Sequence, residues 1–131
     1  MKSKRDKLNV LIIDSPNEEI ENVYHFFKEE GLTTHYAKDA LEGVEKCENE
    51  NIHLIILDAL TYPLNGYEAV RRIRGVKRLE HVPVIMCSSR NDNYDKIWAK
   101  EQGVNIYLVK PINRDIIINA AKRLLKSRVK K

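Results

Sequence analysis

Short apolar runs punctuate the chain, and between them apolar residues return every third or fourth position. The runs lie at about Leu8 to Ile13, Ile52 to Leu57, Val82 to Cys87 and Asn105 to Val109, with a shorter, more polar one at Thr33 to Ala37. They do not alternate with polar residues, which predicts strands covered on both faces of a parallel sheet. The stretches between them predict amphipathic helices. Pro16 suits the start of the first, Ile20, Val23, Tyr24 and Phe27 form its stripe, and Gly31 ends it. Asp39 is placed to cap a second helix bearing Ala40, Leu41, Val44 and Cys47. Asn65 caps a third through Ala69, Val70 and Ile73. Pro83 opens the fourth strand. Asp92 or Asn93 caps a fourth helix carrying Tyr94, Ile97 and Trp98 and ended by Gly103. The last helix starts near Asn113 and uses Ile117, Ala121 and Leu124. Five strand–helix alternations spell (βα)5, an α/β doubly wound five-stranded parallel sheet with helices on both sides.

Composition narrows the class. The chain has 131 residues, 43% hydrophobic and 32% charged, which fits one soluble globular domain with a real core. The longest apolar run is too short to span a membrane, so no membrane insertion and a cytoplasmic location are expected. Met1 to Lys7 lead straight into a strand, so no leader is expected. Cys47 and Cys87 show no metal-like spacing and read as reduced core thiols. The net charge is +4, but residues 1–7 hold +3 of it and residues 122–131 hold +6, leaving −5 on residues 8–121. The chain therefore divides into a basic N-terminal tail over residues 1–7, a folded domain over 8–126 and a basic C-terminal tail over 127–131. An acidic body with basic ends argues against a nucleic-acid partner. The ends read as solvated, with a role at an acidic partner or membrane surface left open.

Candidate chemistry sits at the strand ends. Asp14, Asp58, Ser88 and Lys110 follow or end the first, third, fourth and fifth strands. In an open α/β sheet those tips converge on one mouth. Asp14 and Asp58 suit a hard divalent cation, most plausibly Mg²⁺. Lys110 supplies a mobile positive charge for a phosphoryl oxygen, and Ser88 a hydroxyl. Singly, each has a plain alternative as a helix cap or solvated side chain; the joint placement points to a phosphoryl or metal site.

Four stretches carry a resemblance: Val10-Leu11-Ile12-Ile13-Asp14; Leu54-Ile55-Ile56-Leu57-Asp58 with Pro63 and Gly66 downstream; Val82-Pro83-Val84-Ile85-Met86-Cys87-Ser88-Ser89; and Tyr107-Leu108-Val109-Lys110-Pro111. Over about residues 8–126 the chain resembles the CheY-like receiver domains of two-component response regulators. Asp95 to Gly103, with Tyr107 and Lys110-Pro111, is similar to the stand-alone regulators of type IV pilus twitching motility of the PilH kind. The resemblance implies a flavodoxin-like fold with strand order 2-1-3-4-5. It implies that Asp58 accepts a phosphoryl group from a sensor histidine kinase, CheA-like kinases among the candidates. It implies Mg²⁺ held by Asp14, Asp58 and the backbone carbonyl of Leu60, with Lys110 and Ser88 on the phosphoryl group. Ser88 and Tyr107 are the implied switch pair, and Lys110-Pro111 an implied cis bond. The implied role is a phosphoacceptor rather than an enzyme, a monomer or weak dimer without an output domain. It would contact its target through the face of the fourth helix, fifth strand and fifth helix.

One position departs from the pattern. Receivers usually carry two consecutive acids after the first strand, and here Ser15 follows Asp14. One unit charge at 4 Å and a dielectric of 20 is worth about 4 kcal/mol, so weakened Mg²⁺ affinity is expected. Glu18, one turn into the helix, is a candidate to compensate. A pseudo-receiver working without phosphorylation stays open, as does, more remotely, a small α/β enzyme or flavin-binding module on the same fold. No glycine-rich phosphate loop supports the last. Trp98 is either core or a partner anchor. Arg71, Arg72, Arg74, Lys77 and Arg78 read as a solvated face. Tyr62 either shields Asp58 or fills its loop.

Overall fold

The computed structural model describes residues 8–61 and 63–129, with side chains as far as Lys126. The two basic tails and Tyr62 thus lie wholly or largely outside the described residues. The order is β1 (Asn9–Ile13), α1 (Glu18–Glu29), β2 (Thr33–Ala37), α2 (Ala40–Asn49), β3 (Leu54–Asp58), α3 (Gly66–Arg74), a 3-10 turn (Lys77–Leu79), β4 (Val84–Ser88), α4 (Asn93–Glu101), β5 (Ile106–Val109) and α5 (Arg114–Val129). All strands are parallel, in the order β2-β1-β3-β4-β5. The expected (βα)5 sheet and its strand order are both present.

Successive strand residues point to opposite faces. In β1, Leu11 and Ile13 join a core closed by α2, α3 and α4 through Cys47, Ala69, Val70, Ile73 and Ala99. Val10 and Ile12 join a second core closed by α1 and α5 through Val23, Phe27, Ile117 and Ala121. With apolar layers on both sides, the central strands β1, β3 and β4 have no solvent face to mark with polar residues, whereas the edge strand β2 carries Thr33, Thr34 and His35. The helices start where side-chain oxygens accept amide hydrogens: Asn17 from Ile20, Asp39 from Glu42, Asn65 from Glu68, Asp92 from Asp95 and Asn113 from Ile116. Pro16 precedes the first cap and is not itself helical. Gly31 and Gly103, after α1 and α4, have φ of 81° and 99°, a conformation glycine adopts freely.

The apolar stripe of one helix, α4, does not mark its buried face. On α4, Tyr94, Ile97 and Trp98 are 76%, 60% and 41% exposed, and the residue that reaches the core is Ala99. On α2 the stripe holds except at Leu41, which is exposed: Ala40 and Cys47 are buried and Val44 packs against the core. The basic cluster on and after α3 is mostly exposed, as expected of a solvated face, but Arg74 and Arg78 also bond the fold. Arg74 donates to the carbonyls of Leu79, Val82 and Gly103 and to Asn105 Oδ1. Arg78 donates to the carbonyls of Cys47 and Glu48 at the end of α2.

Candidate functional site

The strand order reverses between β1 and β3, and ligands of doubly wound sheets bind beyond the carboxyl ends of such strands. Asp14 leaves β1 there and Asp58 ends β3; both are buried. Asp14 is fixed by its amide, which donates to the Ala37 carbonyl at 3.2 Å, and by Tyr36, whose hydroxyl donates to the Asp14 carbonyl at 2.8 Å. Asp14 Oδ1 accepts the Ser15 amide at 2.7 Å, and Asp58 Oδ1 accepts the Leu60 amide at 2.7 Å. Each carboxylate thus turns one oxygen to the backbone that follows it.

The other oxygens converge on one cation. Lys110 leaves β5 with its amide bonded to the Ser88 carbonyl at 2.8 Å. Its ammonium donates to Asp58 Oδ2 and lies 3.9 Å from Asp14 Oδ2. The following Lys110-Pro111 peptide is cis. Burial raises the Asp14 carboxyl above its ordinary 3.8, and the Asp58 charge adds to this; Lys110 and the Ser15 amide oppose it without cancelling it. Burial pulls the Lys110 ammonium down, but the hydrogen bond and charge of Asp58, then Asp14 and Glu19, leave it raised. Negative charge therefore remains in excess around a single lysine.

The loops around this cluster are held tightly. Thr61 donates its hydroxyl to the Leu64 carbonyl at 2.7 Å, and the Gly66 amide donates to the Ala59 carbonyl at 2.9 Å. A Cβ on Gly66 would meet the Asp58 carbonyl oxygen at 2.7 Å, so the start of α3 approaches the end of β3 as closely as only glycine allows. Ser88 is buried at the end of β4, and its Oγ accepts the Arg90 amide at 3.1 Å. Tyr107 donates its hydroxyl to the Arg90 carbonyl at 2.9 Å. Burial pushes the neighbouring Cys87 thiol up to about 12, so it stays protonated and unreactive.

The residues singled out at strand ends meet as one cluster of Asp14, Asp58 and Lys110, with Ser88 beside it through the Lys110 amide. Leu60 touches Asp58 by its amide. Glu18 is exposed, and the acid that reaches Lys110 is Glu19, with Oε1 at 4.0 Å from the ammonium. Glu19 carries no sequence signal beyond being an acid in a first helical turn. Among the described residues no three His, Cys, Asp or Glu side chains group as a metal cage. Mg²⁺ asks for less, one or two carboxylates with waters retained. Two buried carboxylates whose free oxygens already share one cation, with negative charge left over, fit such an ion.

Fold and side-chain cluster together define a class, an α/β fold with an acid–lysine site at the carboxyl end of its parallel sheet. Residues 10–122 match the family described as the response regulator receiver domain, and the chain belongs to that family of signalling domains. It is 25% identical to protein PilH of Pseudomonas aeruginosa over 116 residues, 88% of this chain and 96% of that protein. It is 31% identical to the transcriptional regulatory protein CpxR homolog of Haemophilus influenzae over 117 residues, 89% of this chain but 50% of that protein. The receiver domain of a Pseudomonas aeruginosa sensor histidine kinase, solved with magnesium in its active-site cleft, shares the fold at a TM-score of 0.83. That likeness covers 91% of this chain and 98% of that one at 22% identity. No helix among the described residues is long and apolar enough to cross a membrane.

Proposed function

We propose that this chain is a response regulator whose Asp58 accepts a phosphoryl group from a sensor histidine kinase, with residues 8–126 as the receiver. The observation that carries the reading is the Asp58 carboxylate, buried at the end of β3 and paired with the Lys110 ammonium, with Asp14 beside it. In the transfer a carboxylate oxygen of Asp58 forms a bond to phosphorus as the phosphorus–nitrogen bond of a phosphohistidine breaks, and the imidazole keeps the electron pair and takes a proton. Such transfers need mainly positioning and charge neutralisation. Lys110 supplies a fixed positive charge for a phosphoryl oxygen. Ser88 accepts the Arg90 amide, which leaves its own hydroxyl hydrogen free to donate. Mg²⁺, held by Asp14, Asp58 and the Leu60 carbonyl, would neutralise charge on the transferring group, with affinity weakened by Ser15.

The Ser88 hydroxyl and the Tyr107 hydroxyl meet at Arg90, one through its amide and the other through its carbonyl. A phosphoryl group that draws Ser88 inward therefore strains the bond that holds Tyr107. Two charge-assisted bonds formed only in the switched state are worth about 1.5–3 kcal/mol each. Reversing a 1:99 equilibrium takes about 5.5 kcal/mol, so the sizes match. Output would be protein contact through α4, β5 and α5, where Tyr94, Ile97 and Trp98 stand exposed. Likeness to PilH over 96% of that protein favours a regulator of that kind, in pilus or chemotaxis-like control. The same reading takes it as cytoplasmic, a monomer or weak dimer, with a CheA-like kinase upstream.

Ser15 favours a second reading, a pseudo-receiver that signals without phosphorylation, because the position next to Asp14 lacks a carboxylate. Acetyl phosphate with and without Mg²⁺, followed by intact mass, separates the two. Mg²⁺-dependent labelling of the wild type and none of Asp58→Asn is the expected result. Labelling that survives in Asp58→Asn would refute the acceptor, and none under any condition, cognate kinase included, leaves the pseudo-receiver.

A further inference from the structure

Phosphoryl transfer to Asp58 leaves Glu19 without a task, yet its carboxylate is engaged at both oxygens. Oε2 accepts the Ile112 amide at 2.8 Å, a contact between residues 93 apart in sequence. Oε1 faces the Lys110 ammonium at 4.0 Å. The side chain is 33% exposed, so this is not a freely solvated surface pair. One residue of α1 thereby ties down the segment that follows Lys110 and meets the lysine itself.

Lys110 is met by three carboxylates, Asp58 in hydrogen-bond contact, Asp14 at 3.9 Å and Glu19 at 4.0 Å. An incoming cation or phosphoryl group makes demands on Asp14 and Asp58. It makes none on Glu19, which is held by the Ile112 amide. A lysine is a point charge on a flexible four-carbon stem, so something must keep it in place while its other partners are recruited. The missing acid at Ser15 makes that charge more valuable. We propose that Glu19 is a positioning residue for phosphoryl acceptance: anchored on the Ile112 amide, it holds the Lys110 ammonium at the site and replaces the charge, though not the metal ligand, absent at Ser15. This rests on the reading of Asp58 as acceptor.

Glutamine and alanine at position 19 separate the two contacts. Glu19→Gln keeps an oxygen for the Ile112 amide and loses the charge; Glu19→Ala loses both. With neither donor nor metal present, Ile112 amide exchange measured by NMR should be about tenfold faster in Glu19→Ala and near wild type in Glu19→Gln. At saturating Mg²⁺, both variants should take phosphoryl from acetyl phosphate about three- to tenfold more slowly than wild type. In a Ser15→Asp background the Glu19→Gln loss should shrink. A Glu19→Gln rate equal to wild type overturns the proposal, as does an undiminished loss in the Ser15→Asp background or unchanged Ile112 exchange in Glu19→Ala. If the wild type is never labelled, the acceptor reading fails by itself. The Lys110 Nζ resonance, recorded without donor, then decides for Glu19: a shift in Glu19→Gln supports the hold, and no shift ends it.

Discussion

Asp14 sets the pH behaviour of the site. Its carboxyl is raised first by burial and then by the Asp58 charge. A carboxyl raised in the folded state binds its proton more tightly there than in the unfolded chain. Its contribution therefore favours folding below the unfolded value and is lost as pH rises through the folded one. At neutral pH the ionised Asp14 opposes the fold. Asp14→Asn should raise Tm at pH 7 in the absence of divalent ions, by about 3–5 °C for each kcal/mol of relief in a domain of this size. The gain should narrow as pH falls toward 3.8, the ordinary value for the group. A variant less stable than wild type at pH 7 would show that the Asp14 pairing with Lys110 outweighs its burial. Ser15 makes the converse case. It is exposed beside Asp14, so Ser15→Asp adds a charge where water can still reach a bound ion. Mg²⁺ affinity by calorimetry should then tighten about tenfold or more. An unchanged affinity would mean that position 15 does not face the metal.

Among the elements, α3 is bound to its neighbours by polar contacts, and Arg74 makes several of them. Its guanidinium donates to carbonyls of Leu79, Val82 and Gly103, tying the end of α3 to the strand-four approach and to the turn after α4. Arg74→Ala removes the donor those carbonyls share, although the Leu79 carbonyl keeps the Val82 amide as a partner. The change should cost about 1–3 kcal/mol in chemical denaturation, with Arg74→Lys a poor rescue because an ammonium lacks the fork. A loss below about 0.5 kcal/mol, the range of an ordinary surface change, would contradict this. Such contacts are invisible in sequence, where Arg71, Arg72, Arg74, Lys77 and Arg78 read alike. The central strands β1, β3 and β4 were legible for the opposite reason: both faces are buried, so nearly every position carries the same apolar mark. Helix α4 shows where that signal misleads. Tyr94, Ile97 and Trp98 have helical spacing, but spacing says only that residues share a face, not whether core or solvent covers it.

Across the whole molecule, the cluster at the strand tips was legible because a parallel sheet brings all carboxyl ends to one side, so Asp14, Asp58, Ser88 and Lys110 could be placed together without knowing any loop. Glu19 was not, because its role depends on the path of the chain after Lys110. The same geometry links the cluster to the far face. Ser88 and Tyr107 share Arg90, and Arg90 is bonded through its side chain to Asp95 of α4 at 2.9 Å. Tyr107 packs against the core beside Tyr67, whose ring meets Trp98 edge-on at 6.4 Å between centroids. Trp98 is the single tryptophan, so its emission reports this face alone. Acetyl phosphate with Mg²⁺ should shift that emission in the wild type and leave Asp58→Asn unchanged. Tyr107→Phe keeps the ring and removes only the bond to Arg90, worth about 0.5–1.5 kcal/mol, so the switched state should rise about two- to tenfold without phosphorylation. From a 1:99 start that leaves it a minority, so unphosphorylated Tyr107→Phe should move only part of the way toward the phosphorylated spectrum, and phosphorylation should complete the shift. Emission in Tyr107→Phe that moves the opposite way, or not at all while the wild type responds to phosphorylation, would mean that the Tyr107 hydroxyl does not hold the resting state.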